Sequence, residues 1–179
     1  VLGNRKVVAT KDASVTADGS VNAAEADLQA GGALTLTAVN DVLVTNAKFN
    51  GRSVAVTATT GSVMAQGATL ISTTATAVNA GKDIALNSAQ IKGADISLAA
   101  SAGQVSASNA ALAVTDALKV AAKSDAIFRD ASFTTTGAAV SMTATDGKVD
   151  LSTADNLKVL NASSLTVIAG ADAVLGNRK

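Results

Sequence analysis

Apolar residues recur along this chain in two superposed patterns. The longer pattern is a large apolar residue that follows an Ala-x pair, in AEADL, NAKF, GATL, SAQI, NAAL and DASF. It sets Leu28, Phe49, Leu70, Ile91, Leu112 and Phe133 at one constant interval, twenty-one positions from each to the next. Val7 lies one such interval before Leu28, and Leu157, in ADNL, lies slightly more than one interval beyond Phe133. The shorter pattern is alternation of apolar and polar positions inside each period. One stretch reads Leu34-x-Leu36-x-Ala38, and returns as Val54-x-Val56-x-Ala58, Ile96-x-Leu98-x-Ala100 and Leu118-x-Val120-x-Ala122. Another reads Val42-x-Val44, Val63-x-Ala65, Ile84-x-Leu86, Val105-x-Ala107 and Val149-x-Leu151.

Alternation with a period of two marks half-buried strands. Gly, Asn-Gly and Asp-Gly interrupt at regular places, and the helical periodicity of 3.6 is missing, which excludes helices. Three short strands in every period, without long crossovers, predict one rung of a parallel β-helix. The expected fold is therefore all-β, a right-handed parallel β-helix of about eight rungs, about 40 Å long at a rung spacing of about 4.8 Å. Inward residues should form ladders along the axis, with Val7, Leu28, Phe49, Leu70, Ile91, Leu112, Phe133 and Leu157 as one of them. In residues 124–133 the pair Ala126-x-Phe128 stands where its counterparts read Val42-x-Val44 and Ile84-x-Leu86, so Phe128 should sit over Ala107 with total core volume roughly held. Extra residues at 134–139 and 156–164 are expected to bulge outward.

A doubled period, two rungs long, is also present. The residue before the second kind of stretch is Asp41, Asp83 and Asp125 on alternate rungs, and Ser62, Gln104 and Lys148 on the rungs between, each preceded by Gly61, Gly103 or Gly147. Like charges one rung apart repel, so alternation is expected to separate the acids of this turn column. Duplication of a two-rung segment accounts for the pattern equally well.

The chain also begins and finishes on the same hexapeptide, VLGNRK, at 1–6 and 174–179. The two copies share one phase, with Val1 and Leu2 the counterparts of Val174 and Leu175. No polar cap closes either end, and open β-edges template further strands. The expectation is that residues 1–179 form a single β-helical segment. It would be one period of a longer tandem array, running from Val1 to the residue before Val174, or a subunit stacked end to end on copies of itself.

Composition narrows the chemistry. Fourteen basic and fourteen acidic residues give zero formal net charge, so bulk charge does not attract nucleic acid or a membrane surface. No apolar run reaches the roughly 18 residues that span a bilayer. There is no His, Cys, Trp, Tyr or Pro, and only three Phe. That removes imidazole, thiol and phenol catalysis, disulfides and thiolate metal sites. The narrow core, rich in Ala, has room for one aliphatic layer per face. Polysaccharide cleavage on a β-helix needs clustered acids and aromatic platforms. The nearest approaches are the pairs Asp146 with Asp150 and Asp125 with Asp130, read more simply as solvated turn residues. Neither a calcium-binding glycine-rich nonapeptide nor a phosphate loop occurs. Outward Thr is frequent but interrupted by Lys, Asn and Asp, which spoils a water-ordering face. Asn161-Ala-Ser163 matches a glycosylation sequon. No catalytic residue, metal ligand or cofactor is expected.

The stretch GGALTLTAVNDVLVTNAKFNGRSVAVTATTGSVMAQGATL (31–70), with its pattern repeated in GADISLAASAGQVSASNAAL (93–112), resembles the repeats of bacterial filamentous haemagglutinins and related two-partner-secreted adhesins and contact-dependent inhibition proteins. The likeness runs along nearly the whole chain. It implies a long β-helical shaft on the outside of a Gram-negative cell, holding a tip away from the membrane, while the secretion and tip domains of that family have no counterpart here. The expected role is thus a structural shaft of an extracellular or cell-surface fibre, with other copies or adjacent repeats as partners. The alternatives are an adhesive module whose outer face meets a host or neighbour-cell glycan or protein, and a β-helix glycan-processing enzyme.

Overall fold

The computed structural model describes residues 1–135, 137–154 and 160–176. Among them are 21 strands and no helix, and the strands pair in parallel. The chain winds as a β-solenoid of about eight turns of about 21 residues. Each turn has three sides. An anchor side carries strands such as Asp27–Ala30 and Lys48–Gly51, a long side carries Ala33–Ala38 and Ser53–Ala58, and a short side carries two-residue strands such as Val42–Leu43 and Val63–Met64. The short sides stack into one eight-stranded sheet. The anchor and long sides belong to one 13-stranded sheet, because Gln90–Ala100 and Ala111–Ala122 each run unbroken around the corner between them.

The anchor ladder is in register throughout. Val7 pairs with Leu28, Leu28 with Phe49, Phe49 with Leu70, Leu70 with Ile91, Ile91 with Leu112, and Leu112 with Phe133. The residues from Leu28 to Phe133 are buried, whereas Val7, on the outermost rung, is 39% exposed. Leu157 lies outside the described residues. A rung covers its inward side chains on one flank only, and the next rung covers the other. A fully buried Leu or Phe contributes about 1.5–3 kcal/mol, so interior rungs are stabilised twice and a terminal rung once. Phe128 stands in register over Ala107 and is fully buried, with its ring centroid 5.8 Å from that of Phe133. A large residue on a small one keeps the layer at constant volume.

The corner between the anchor and long sides absorbs every change in rung length up to Ala122. The pairing of Val54 with Thr76 is one residue longer than the regular rung, and that of Thr76 with Ile96 is one residue shorter. A register shift between Gly93 and Asp95 restores the phase on the next rung. Short corners carry a glycine, Gly51 or Gly93, where a Cβ would press on the carbonyl oxygens of Ser53 or Asp95 at 2.8 and 2.9 Å. Long corners carry Ser72 or Val114 at the same position. Ser72 and its neighbour Thr76 are buried, and their hydroxyls lie 3.0 Å apart; the Thr76 hydroxyl also donates to the Lys92 carbonyl at 3.1 Å. Thr76 thus occupies a ladder position held elsewhere by Leu34, Val54, Ile96 and Leu118, its hydroxyl satisfied inside the coil.

Near the far end the extra residues are only partly outward. Thr135 is buried and donates to the Asn161 carbonyl at 2.7 Å, while Gly137 turns the chain at φ +76° in open space. Thr136 and residues 155–159 lie outside the described residues.

Replacing Phe49 by Ala in the middle of the ladder should lower unfolding free energy by about 3–5 kcal/mol. The same truncation at Val7 should lower it by less than about 1 kcal/mol. Urea midpoints of the two variants check the contrast.

Candidate functional site

The turn column at the entry to the short side is built from carboxylates and missing side chains. Asp41, Asp83 and Asp125 each aim Oδ1 at a backbone amide of the next rung, that of Ser62 at 2.8 Å, Gln104 at 2.9 Å and Lys148 at 2.9 Å. A carboxylate accepting an amide N–H makes a charge-assisted bond. Room for it exists because the preceding residue on the receiving rung is glycine. A Cβ on Gly61, Gly103 or Gly147 would strike the Oδ1 of Asp41, Asp83 or Asp125 and the backbone beside it. Two of the rungs between answer with a hydroxyl: Ser20 accepts from the Asp41 amide and Ser62 from the Asp83 amide, each at 3.3 Å. The two-rung period of this column is therefore a donor–acceptor pairing between rungs. Charge separation is not needed to explain it. Asp12, on another corner, uses the same device, with Oδ1 on the Ala33 amide at 2.8 Å and Gly32 leaving the space.

The acidic pairs close in sequence are separated in role. Asp146 pairs with Lys123 at 2.7 Å. Asp125 holds the Lys148 amide, and Asp130 holds the Ala154 amide at 2.8 Å and the Thr153 hydroxyl at 3.1 Å. Asp150 points outward from the short side yet is only 2% exposed. It accepts from Nε of Arg129 at 2.7 Å and from the Ser152 hydroxyl and amide at 2.6 and 3.1 Å, with Nζ of Lys148 at 3.8 Å. Burial pushes this carboxyl upward, but the Ser152 and Arg129 bonds together outweigh it and hold the group below the usual Asp range. Among the described residues no cluster of three or more acidic side chains is placed to hold a metal ion.

A second column governs the exit from the short side. Glu25, Asn46, Gly67, Ser88, Asn109 and Asp130 all adopt left-handed backbone, with φ between 52° and 65°. Each precedes a buried alanine whose amide closes a four-residue turn, as Ala47 does on Val44 and Ala89 on Leu86. Positive φ at the third turn position favours Gly, Asn and Asp.

Outside, the anchor side and its corner carry shallow depressions. One of about 480 Å³ is lined by Ile71, Lys92, Gly93, Ala113, Val114 and Thr134, and another shares Ile71, Lys92, Ala113 and Thr134. The residues of the duplicated hexapeptide lie at the two extremes of the described coil. Val1 is fully exposed and Leu2 half-buried, its amide donating to the Asn22 carbonyl at 2.7 Å; Val174 and Leu175 are exposed, with Val174 accepting from the Leu151 amide at 2.7 Å. Asp12 and Thr76 do not stand out in the sequence pattern, and Asp150 stands out only as a neighbour of Asp146. Two of the three carried a signal, Asp12 in the Gly31-Gly32 pair one rung on and Thr76 in its alternation with Val78 and Ala80. Compared with protein-family models, curated proteins and solved structures, the chain matches none.

Substituting Asp83 by Ala should lower stability by about 1 kcal/mol, and Gly103 by Val by about 2–3 kcal/mol, both read by urea unfolding. Asp150 sets a pH dependence. Its folded-state pKa is depressed, so its stabilisation is complete above the unfolded value of about 3.9 and disappears as pH falls through the lower folded value. The stability advantage of the wild-type chain over Asp150→Asn should be constant from pH 7 to about 5 and shrink below about pH 4. Unfolding curves recorded across that range measure it.

Proposed function

We propose that this segment is a shaft, a rigid spacer in a bacterial cell-surface or extracellular fibre. The observation that carries the reading is the continuity of the ladders. All three sides pair rung upon rung, and the short side alone runs unbroken from Val21 to Val174. The acids that lie close in sequence, Asp125, Asp130, Asp146 and Asp150, are engaged by amides and cations one rung away. An array of this kind transmits position along its axis because each rung contacts only its neighbours. The resemblance to filamentous haemagglutinin-type repeats supports an extracellular setting and a partner made of further repeats. The depression around Lys92 and Ala113 favours a second reading, an adhesive outer face that binds a glycan or protein.

A ruler experiment separates these. Copies of the segment are placed between a membrane anchor and a fluorescent domain, and the height of the fluorophore is measured. For a shaft the height grows linearly, by about 40 Å per copy at the strand spacing of about 4.8 Å. Growth with the square root of copy number, as for a flexible linker, sinks the proposal. Saturable binding of the segment to immobilised glycans, lost on Ala113→Tyr, transfers the function to the groove.

A further inference from the structure

The turn column carries information beyond the described coil. Read along the axis it runs Ser20, Asp41, Ser62, Asp83, Gln104, Asp125, Lys148, Asp172. Every Asp before the last is followed by a rung bearing Gly and an amide for its carboxylate. The Asp172 carboxylate meets no donor among the described residues. At the opposite extreme the complementary half is vacant. Gly19 precedes Ser20 as Gly61 precedes Ser62, and a Cβ built on Gly19 meets nothing within 4 Å. When the two VLGNRK hexapeptides are superposed, Ser20 follows Asp172 by 21 residues, the spacing of Asp41 to Ser62.

The backbone and the core agree with that register. The Leu151 amide donates to Val174, and the Leu2 amide donates to Asn22. Leu175 is the counterpart of Leu2, so one hexapeptide can serve both rungs, accepting on one side and donating on the other. Inward residues match as well. Leu165, 46% exposed, lies at the position that would cover Ala13, and Ala13 already packs beneath Leu34 in the same column. A small residue between two large ones repeats the exchange of Phe128 and Ala107.

We infer that the rung at residues 164–176 accepts a second copy of this same segment, head to tail, laying its residues 7–22 across the joint with a single VLGNRK shared between the copies. Asp172 then caps the Ser20 amide of the next copy. The contact is heterologous, so it extends into an open stack. This rests on the shaft reading and names the partner and the chemistry of its joint.

The test is a chain in which residues 1–173 are followed directly by residues 1–179. It should unfold in one transition at a higher midpoint than the single segment, and its maximum dimension in small-angle scattering should approach twice the single-segment value. Gly19→Val supplies the control. In the leading copy Gly19 faces open space, and the substitution should leave the midpoint unchanged. In the trailing copy the same side chain would sit against Asp172, and should lower the midpoint and split the transition in two. Equal effects of the substitution in both copies, or a fused chain that unfolds at the single-segment midpoint, overturn the inference. Linear growth in the ruler experiment alongside such a result leaves the shaft standing and removes only this joint; failure of linear growth removes the shaft itself.

Discussion

Stacking of one rung on the next is the constraint from which the other features follow. A single turn cannot enclose a core by itself, because its inward side chains lie open above and below. Parallel pairing at about 4.8 Å brings like positions over one another, so the core becomes a set of columns and each column must hold its volume from rung to rung. Leu28, Phe49, Leu70, Ile91, Leu112 and Phe133 satisfy this with residues of similar size. Where one rung departs, as at Phe128, the neighbour shrinks to alanine. Thr76 departs in polarity, and the cost of its buried hydroxyl is offset by Ser72 and the Lys92 carbonyl.

Corners are where the stack tolerates variation, and they vary in pairs of rungs. At the short-side entry an Asp on one rung fits a Gly on the next. At the anchor corner a shorter link through Gly51 or Gly93 alternates with a longer one through Ser72 or Val114. The entry corner keeps this period because a carboxylate that reaches across to the neighbouring rung needs a Gly there, whereas at the anchor corner the alternation runs only from Gly51 to Val114. Over those rungs the repeat is two rungs long both in the chemistry of the entry corner and in the length of the anchor corner.

This use of carboxylates also bears on what the surface does. Asp41, Asp83, Asp125 and Asp130 face amides, and Asp146 and Asp150 face Lys123 and Arg129. Their charge is committed to joining rungs, and the outer faces present mainly Thr, Ser, Ala, Asn and scattered Lys.

Much of this was legible in the residue order. The strict spacing of the anchor residues and the period-two alternation determined the coil, its rung number, the anchor ladder and the seat of Phe128, because inward columns can only be filled by apolar residues at fixed intervals. The duplicated VLGNRK determined the phase relation of the two extremes. Other features were decided only by the tertiary structure. The alternation Thr76-x-Val78-x-Ala80 places Thr76 inward, but how its hydroxyl is satisfied there appears only once Ser72 and the Lys92 carbonyl are seen beside it. Asp150 sits among outward positions, and its burial depends on Arg129 and Ser152 converging from two rungs. The purpose of the Asp and Gly alternation was likewise hidden, since partners 21 to 23 residues apart meet only when the coil closes. Period and phase are properties of one chain read in order; which side chain satisfies which amide is settled by the neighbouring rung, and a linear pattern carries no direction for a carboxylate.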